Sequence, residues 1–314
     1  MIYTVTFNPA IDYVVRLTAP LQPGALQRAA AEEYQYGGKG INVSTMLTRL
    51  GVPTTALGFV AGQTGTWLQN GLAQQGVAAD FIALPEGMTR INVKVKAGAG
   101  QQVTEETELN GRGPQITPQA LQTLQQKLAA IGPGDLLVLS GSIPAGMPAD
   151  SYRQLMAPLC ARGVRVAVDA SGPLLRAVLP LQPFLIKPNH HELGELFGQT
   201  LSPQDRPGIA ACARALQAEG ARNVLVSLGP DGAFLCTEQG EEFWCPAPQG
   251  TLVNSVGAGD SMLAGFLAGY CTTGSCREAL RWGVACGSAT AFSAGIAAKA
   301  EVDAQLQALR EYML

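Results

Sequence analysis

The 314-residue sequence has little charge and lacks both a long apolar run and a leader-like start, and each shortage removes a class of protein. Charged residues make up 14% of the chain and the net charge is −3, so nothing attracts nucleic acid or an acidic membrane surface from a distance. Apolar stretches are interrupted well before the roughly 18 residues that a membrane span needs. No charged and then apolar segment precedes the first predicted strand, so a signal peptide is not expected. We therefore expect a cytoplasmic protein with neither nucleic-acid nor membrane partners.

Histidine is scarce and the cysteines lack a metal-binding spacing. His190 and His191 are the only histidines, and adjacent side chains point in different directions, which argues against a histidine-based metal site. The seven cysteines include no CxxC pair, which is typical of reduced thiols rather than of a disulfide framework.

Three common functional patterns are also missing from the sequence. No GxSxG run supports a serine hydrolase, and no GxxxxGK[ST] run supports a Walker-type nucleotide loop. The nearest candidate for a dinucleotide fingerprint, YGGKGIN at residues 36–42, does not have the GxGxxG spacing. A dinucleotide-binding fold is therefore poorly supported.

What is present is an alternation of short β-branched runs with longer helical patterns. This alternation predicts an α/β fold with a mostly parallel central sheet flanked by helices, and in such sheets ligands bind beyond the carboxyl ends of the strands. The predicted strands are residues 2–7, 55–60, 135–140, 164–169, 184–187 and 223–228. The predicted helices are residues 40–50, 64–75, 117–131, 149–162, 206–219, 258–272, 276–294 and 301–312.

Two segments, at about 12–36 and 88–111, interrupt this alternation and predict a small additional β-sheet. Apolar and polar residues alternate along them, which is the period of a half-exposed strand. No linker or repeat divides the chain, so we expect one domain, residues 1–314, on which this sheet serves as a lid or an oligomer contact. The predicted strands are residues 12–18, 28–36, 89–97 and 103–109, with a hairpin loop at residues 98–101.

The run VGAGDS at residues 256–261 carries the clearest chemical signal. It predicts a Gly-rich turn that opens a helix, where free N–H groups and the helix dipole favour an anion. A carboxylate at Asp260 could accept a hydroxyl proton while the N–H groups of Gly257, Ala258 and Gly259 stabilise a transferring phosphoryl group. The same run is equally compatible with an Asp260 that only decorates the first turn of the helix.

Five runs resemble, in the same order along the chain, the motifs of PfkB-type carbohydrate kinases, which have the ribokinase-like fold. They are NPAID (8–12), GGKGINV (37–43), KPNHHE (187–192), SLGPDG (227–232) and VGAGD (256–260). The resemblance covers essentially the whole chain. Within the family, the runs TRINVK (89–94) and EETELNG (105–111) look most like bacterial 1-phosphofructokinases.

This resemblance implies a sugar-phosphate site that includes residues of the small sheet. Lys39 and Arg90 would supply positive charge for the phosphate already on the substrate, and a guanidinium can do so with two hydrogen bonds. The alternatives are a turn role for Asp12 and plain solvated charges at Lys39 and Arg90. The implied substrate-binding residues are Asp12, Gly37, Gly38, Lys39, Asn42, Arg90 and Asp260.

The resemblance also implies a site for ATP and Mg²⁺. Glu192 would organise Mg²⁺, through water, because Mg²⁺ keeps several waters and needs few protein carboxylates; the alternative is an exposed helix charge. The implied cofactor-binding residues are Lys187, Asn189, Ser227, Gly229, Gly232, Gly257 and Gly259.

Two further groups of small residues are ambiguous. The helix residues Gly283, Ala285, Gly287 and Ser288 could wall the adenine, but we favour close helix packing for them. Ser140, Gly141 and Ser142 could contact a ligand or form a plain tight turn.

The reaction that the resemblance implies is phosphoryl transfer from Mg·ATP to the C6 hydroxyl of D-fructose 1-phosphate. Kinases for tagatose 6-phosphate or fructose 6-phosphate are the nearer alternatives, and a non-catalytic sugar-phosphate-binding protein is the remote one. The small sheet has an exposed edge and face that could form a homodimer.

Overall fold

The computed structural model describes residues 1–99, 102–144 and 146–312, and its main feature is a nine-stranded sheet. All neighbouring strands are parallel except the two pairs at one edge, β11–β12 and β12–β13, which confirms the predicted α/β class. The strands, in spatial order, are β13 (Glu242–Cys245), β12 (Ala233–Cys236), β11 (Asn223–Ser227), β10 (Leu185–Ile186), β9 (Arg165–Asp169), β8 (Leu136–Ser140), β1 (Ile2–Thr6), β4 (Thr54–Ala61) and β5 (Ile82–Leu84).

Helices cover both faces of this sheet. In β8, Leu137 and Leu139 pack into one apolar cluster, whereas Leu136 and Val138 pack into another on the opposite face. No helix in the described ranges is long and apolar enough to cross a membrane. The helices are α1 (Lys39–Arg49), α2 (Gly62–Gln74), α3 (Pro118–Ala129), α4 (Ser151–Cys160), α5 (Gly172–Arg176), α6 (His190–Leu196), α7 (Arg206–Ala218), α8 (Ala258–Thr273), α9 (Cys276–Ala291) and α10 (Lys299–Ala308).

Helix α3 shows how local sequence sets these elements. The Thr117 hydroxyl accepts a hydrogen bond from the Ala120 N–H, and Pro118 occupies the first helical position. Leu124 and Leu128, four residues apart, are buried against the sheet. The predicted start of this helix is therefore confirmed in its chemistry as well as its position.

A second, four-stranded sheet contains β2 (Ala10–Leu17), β3 (Ala31–Gly37), β6 (Arg90–Ala99) and β7 (Gln102–Asn110). Its order is β3-β2-β6-β7, and the central pair β2–β6 is parallel while the outer pairs are antiparallel. We call this the small sheet. Residues 100 and 101 of the predicted hairpin loop lie outside the described residues.

The sequence patterns missed the short elements β5, β12, β13, α5 and α6, each of seven residues or fewer. Strand β10 is two residues long where 184–187 was predicted, because Pro183 and Pro188 flank it and proline cannot donate to a ladder. Helix α9 ends at Ala291 rather than at residue 294, and α10 covers Lys299–Ala308 rather than 301–312.

The strand order reverses between β1 and β8, which opens a crevice at the carboxyl edge of the large sheet. Thr6, Ser140 and Asp169 end the three strands at and beside this point. Lys187 follows β10 and Ser227 ends β11, so polar side chains from five neighbouring strands meet along one edge.

Candidate active site

Asp260 lies in the first turn of α8 and is only 6% exposed. Gly257 precedes this helix with φ of 80°, a conformation that favours glycine, and a Cβ there would lie 2.6 Å from Ile296 Cδ1. The turn therefore needs glycine at this position, and it places the start of α8 beside a buried carboxylate. The Ala258 N–H already donates to the Ser255 carbonyl at 3.2 Å, so the turn itself uses one of the three predicted anion-binding groups.

The Asp260 carboxylate is held by Asn42 of α1, whose Nδ2 donates to Oδ2 at 2.8 Å. Burial, and next the negative charge of Asp169, raise the pKa of Asp260 to about 6; the Asn42 hydrogen bond and the charges of Lys39 and Lys187 oppose that shift. At neutral pH the group is therefore mostly ionised but still basic, which suits a general base.

Asp169, which the sequence patterns did not single out, lies at the centre of the site. It ends β9, is 2% exposed, and accepts contacts from Lys39 Nζ at 3.5 Å and from Lys187 Nζ at 3.3 Å. Burial alone would raise the pKa of Asp169, but the two lysines outweigh it and lower that pKa. The sequence signal that could have identified Asp169 is a carboxylate at the end of a buried parallel strand.

The two lysines approach Asp169 from different sides. Lys39 begins α1, and although burial opposes it, the charges of Asp169, Asp260 and Glu192 raise the pKa of Lys39. Lys187 is 5% exposed, and its Nζ lies 3.3 Å from the place where a Cβ on Gly259 would be. Lys187 thus faces the start of α8.

The glycines before Lys39 let α1 begin directly over the end of β1. Gly38 has φ of 129°, and a Cβ there would lie 2.6 Å from Thr6 Cγ2. The Ile41 N–H donates to Thr6 Oγ1 at 3.1 Å, which satisfies a donor in the first turn of the helix. This close approach brings Asn42 to Asp260.

Asp12, on β2 of the small sheet, faces the same region. Asn92 Nδ2 donates to Asp12 Oδ1 at 2.8 Å, and a Cβ on Gly37 would lie 2.4 Å from Asp12 Oδ2. A cavity of about 180 Å³, which we call the acceptor cleft, is lined by Asp12, Gly37, Asn42 and Val256 together with neighbouring residues. Three predicted sugar-binding residues therefore meet at one cleft, and Asn92 is an additional residue that the sequence patterns missed.

Arg90 begins β6 and interacts electrostatically with Asp12. Its Nε is buried, and within the described part of the chain it has no hydrogen-bond partner. Burial lowers the pKa of Arg90, and the charge of Asp12 opposes this effect. A buried guanidinium nitrogen without a partner is costly, which indicates that an anion completes the site.

A larger cavity of about 800 Å³ lies on the other side of the α8 start. Gly283 and Ala285 pack within the protein, as favoured above, whereas Gly287 and Ser288 line this cavity. We call it the nucleotide cavity because most of the predicted cofactor-binding residues line it. Predicted cofactor residues that line it are Asn189, Ser227, Gly229, Gly232 and Gly259, and His190, His191 and Phe292 line it in addition.

Asn189 and Glu192 form a reciprocal cap at the start of α6. Asn189 Oδ1 accepts from the Glu192 N–H at 2.8 Å, and Glu192 Oε2 accepts from the Asn189 N–H at 2.9 Å. Among the described residues, no group of three His, Cys, Asp or Glu side chains could hold a metal ion. The donor set fits a water-mediated Mg²⁺ contact through Glu192 Oε1 rather than direct protein ligation.

Comparison with known proteins gives one consistent result. The family model described as pfkB family carbohydrate kinase matches residues 5–303. A 1-phosphofructokinase of Bacillus subtilis is 43% identical over 293 residues, which is 93% of each chain. A D-tagatose-1-phosphate kinase of Bacillus licheniformis is 38% identical over 303 residues, or 96% of each chain.

A solved structure shows the same similarity in three dimensions. Phosphofructokinase-2 from Escherichia coli, in complex with fructose-6-phosphate, superposes with a TM-score of 0.88 at 28% identity. The superposition covers 98% of this chain and 99% of that one, so both sheets and the helices around them belong to the shared fold.

Proposed function

The chain belongs to the pfkB family of carbohydrate kinases, and we propose that it transfers the γ-phosphoryl group of ATP to the C6 hydroxyl of D-fructose 1-phosphate. The products are ADP and fructose 1,6-bisphosphate. One observation carries this proposal: the buried carboxylate of Asp260 is bonded to Asn42, which lines the acceptor cleft, and follows Gly259, which lines the nucleotide cavity.

Asp260 acts as the general base in this mechanism. Its raised pKa lets the ionised carboxylate accept the proton of the C6 hydroxyl as the oxygen attacks the γ-phosphorus. Asn42 holds the carboxylate in place through the bond to Oδ2, which leaves Oδ1 for the hydroxyl.

The start of α8 stabilises the charge of the transferring group. The N–H groups of Gly257 and Gly259 lie at the positive end of the helix dipole, which attracts the negative charge of the transferring phosphoryl group. The Ala258 N–H can join them only by exchanging the Ser255 carbonyl for a phosphoryl oxygen. Lys187, close to Gly259, offsets negative charge on the nucleotide.

Glu192 would hold Mg²⁺ through water, and the ion would offset charge on the ATP phosphates when bound. The remaining nucleotide contacts are Asn189, Ser227, Gly229 and Gly232, which line the nucleotide cavity. Glycine at positions 229 and 232 leaves room for phosphate and ribose oxygens, whereas the main-chain N–H groups of Asn189, Ser227 and Gly232 already donate within the protein.

The acceptor is held from the small sheet. Asp12 accepts hydrogen bonds from sugar hydroxyls beside Gly37 and Gly38, and Arg90 Nε donates to the phosphate that the substrate already carries. Closure of the small sheet as a lid over residues 251–256, across a cavity of about 540 Å³, excludes water that would compete as acceptor.

The choice of sugar rests on the relatives rather than on a measured distance in the cleft. The relatives named above are a 1-phosphofructokinase and a D-tagatose-1-phosphate kinase, and the solved phosphofructokinase-2 is in complex with fructose-6-phosphate. The tagatose phosphate among them is the 1-phosphate, whereas the alternative raised from sequence was the 6-phosphate. The position of the phosphate relative to the attacked hydroxyl therefore decides the substrate.

Initial rates at matched concentrations of four substrates test this assignment. We expect fructose 1-phosphate to give the highest kcat/KM among fructose 1-phosphate, fructose 6-phosphate, tagatose 1-phosphate and tagatose 6-phosphate. A higher value for one of the other three would reassign the substrate, and binding without ADP formation for all four would reject the kinase mechanism.

We also propose that two copies of this chain pair through the small sheet. The face opposite Asp12 carries Tyr13 and Val93 beside Leu109, which is 61% exposed, so a stripe of apolar side chains is left partly open to solvent. A Leu109→Glu variant should shift the mass in solution from dimer to monomer, whereas Leu26→Glu, on the loop between β2 and β3, should not. An unchanged mass for Leu109→Glu would reject this interface.

We propose that the reaction takes place in the cytoplasm. All seven cysteines are free, which is compatible with a reducing compartment where ATP is available. Fractionation of cells that express the tagged full chain would test this placement.

A further inference from the structure

We propose that Asp169 is a positioning residue that holds Lys39, at the start of α1, and Lys187, beside the start of α8, next to Asp260. The inference rests on the proposed function, because it assigns a further role within the same reaction. None of the five sequence motifs contains Asp169, and its partners lie 130 residues upstream and 18 residues downstream in the chain.

The geometry gives one carboxylate oxygen to each lysine. Lys187 Nζ lies 3.3 Å from Oδ1 of Asp169, and Lys39 Nζ lies 3.5 Å from Oδ2. A lysine side chain is a flexible four-carbon stem, and its ammonium group would otherwise sample many positions. The shared carboxylate therefore restricts both ammonium groups at once and fixes their separation.

The two lysines belong to different halves of the site. Lys39 follows Gly37 and Gly38 at the start of α1 and lines a separate cavity of about 880 Å³ together with Gly141 and Ser142. Lys187 stands against Gly259 at the start of α8, where the nucleotide cavity begins.

A purely structural role explains this arrangement poorly. Asp169 is 2% exposed and Lys187 is 5% exposed, so both ions have lost almost all contact with water. The desolvation of a buried pair usually offsets its Coulombic attraction, and well-packed apolar residues would stabilise the fold at least as well. Ionisable groups retained at such depth are typical of functional sites.

The variant Asp169→Asn tests the proposal because it keeps the size of the side chain and removes its charge. Freed lysines shift from their positions, and a displacement of about 1 Å can reduce a rate by about 10²-fold. We expect kcat to fall by about this factor with smaller changes in both KM values. Unchanged kcat in a variant that unfolds at the wild-type temperature would overturn the proposal.

The matched control is Asp135→Asn. Asp135 precedes β8 at the opposite edge of the large sheet and pairs with the N-terminal amine at 3.0 Å, so it resembles Asp169 in chemistry but not in place. This variant should keep wild-type kcat and KM. A wild-type protein without kinase activity would instead reject the proposed function, which separates the two failures.

A second comparison asks whether Asp169 acts through the lysines. In a Lys39→Met, Lys187→Met background, adding Asp169→Asn should cause no further loss of kcat, because nothing remains to be positioned. Equal losses with and without the lysines would show an independent role and overturn the proposal. If the double variant does not fold, the same comparison in the Lys187→Met background decides between these outcomes.

The pH profile gives a readout that a structural role would not move. Asp260 is faced by Asp169 from β9, by Lys39 and Asn42 from α1, and by Lys187 after β10. Because the charge of Asp169 raises the pKa of Asp260, Asp169→Asn should move the acid limb of kcat/KM to lower pH. An acid limb that stays in place, as it should in Asp135→Asn, would contradict the geometry.

Discussion

Around Asp260 the two carboxylates and Lys187 are buried in the body of the protein and only Lys39 is open to water, whereas on the small sheet the acidic partners of the cross-strand ion pairs are exposed. Asp260 and Asp169 are 6% and 2% exposed. On the small sheet, by contrast, Lys94 and Lys96 pair with Glu108 and Glu106, whose side chains are 43% and 38% exposed. Electrostatic interactions are strong where water is excluded and weak where it is not. The body should therefore control the rate of transfer, and the small sheet should control binding of the sugar phosphate.

The largest effect is expected from Asp260→Asn. Asparagine cannot accept the hydroxyl proton, so kcat should fall by about 10²–10⁴-fold, while KM for both substrates stays near the wild-type value. The matched control is Asp303→Asn, an exposed residue of α10 that pairs with Lys299. Steady-state kinetics of both variants measure this, and near-normal turnover of Asp260→Asn would remove the base from the mechanism.

The same variant should not be less stable. The folded-state pKa of Asp260, about 6, lies above its ordinary value of 3.8, so folding disfavours the ionised form. Stability contributed by this group is therefore lost as the pH rises through the window between those two values. At pH 7 a neutral asparagine avoids that cost, and its unfolding temperature should equal or exceed that of the wild type. A clear drop would point to a structural role for Asp260 instead.

The next largest effect is expected for a residue of the small sheet. Arg90→Met removes a charged donor from the phosphate of the sugar substrate, which corresponds to about 1.5–3 kcal/mol, or roughly a 10- to 150-fold rise in KM for that substrate. KM for ATP should stay unchanged. Arg28→Met, on the exposed loop between β2 and β3, is the control. A rise in KM for ATP, with KM for the sugar unaffected, would exchange the assigned roles of the two regions.

The pH dependence gives a smaller effect and needs no variant. Because Asp260 must be ionised to act as a base, kcat/KM should be nearly constant above pH 7 and fall tenfold per unit below about pH 6. Rates in buffers of constant ionic strength would show this limb. A limb near the ordinary value of an aspartate, about pH 4, would mean that the carboxylate is solvated during the reaction.

The smallest effect is expected for the exposed pairs of the small sheet. Glu106→Gln breaks the pair with Lys96, and such surface pairs contribute at most about 1 kcal/mol. The free energy of unfolding in urea should change by less than that amount. A larger loss would show that the small sheet depends on charge as strongly as the body does, and the comparison would fail.

Local patterns in the sequence predicted Asp260 because the whole signal lies within five residues. The glycines, the helix start and the carboxylate are contiguous, and the structure places them as one turn. The α/β class was predicted for a similar reason, since strands such as β8 are apolar on both faces and read as continuous apolar runs. Short elements such as β5 and α5 carry too few residues to show a period.

Asp169 and Asn92 were missed because their meaning depends on distant partners. Asp169 ends an ordinary buried strand, and only the folded chain brings Lys39 to it. Asn92 alternates with apolar residues on β6, so it read as the exposed face of a strand, yet it is 8% exposed and bonded to Asp12. Residues that act through tertiary contacts leave no local period or motif.

The most direct test of the central claim follows the phosphoryl group itself. Wild-type protein is incubated with ATP and fructose 1-phosphate, and phosphorus NMR identifies where the γ-phosphoryl group goes. We expect one new phosphomonoester at C6 for each ADP formed, and almost none with Asp260→Asn. Release of inorganic phosphate in place of the bisphosphate, or transfer to another hydroxyl, would contradict it.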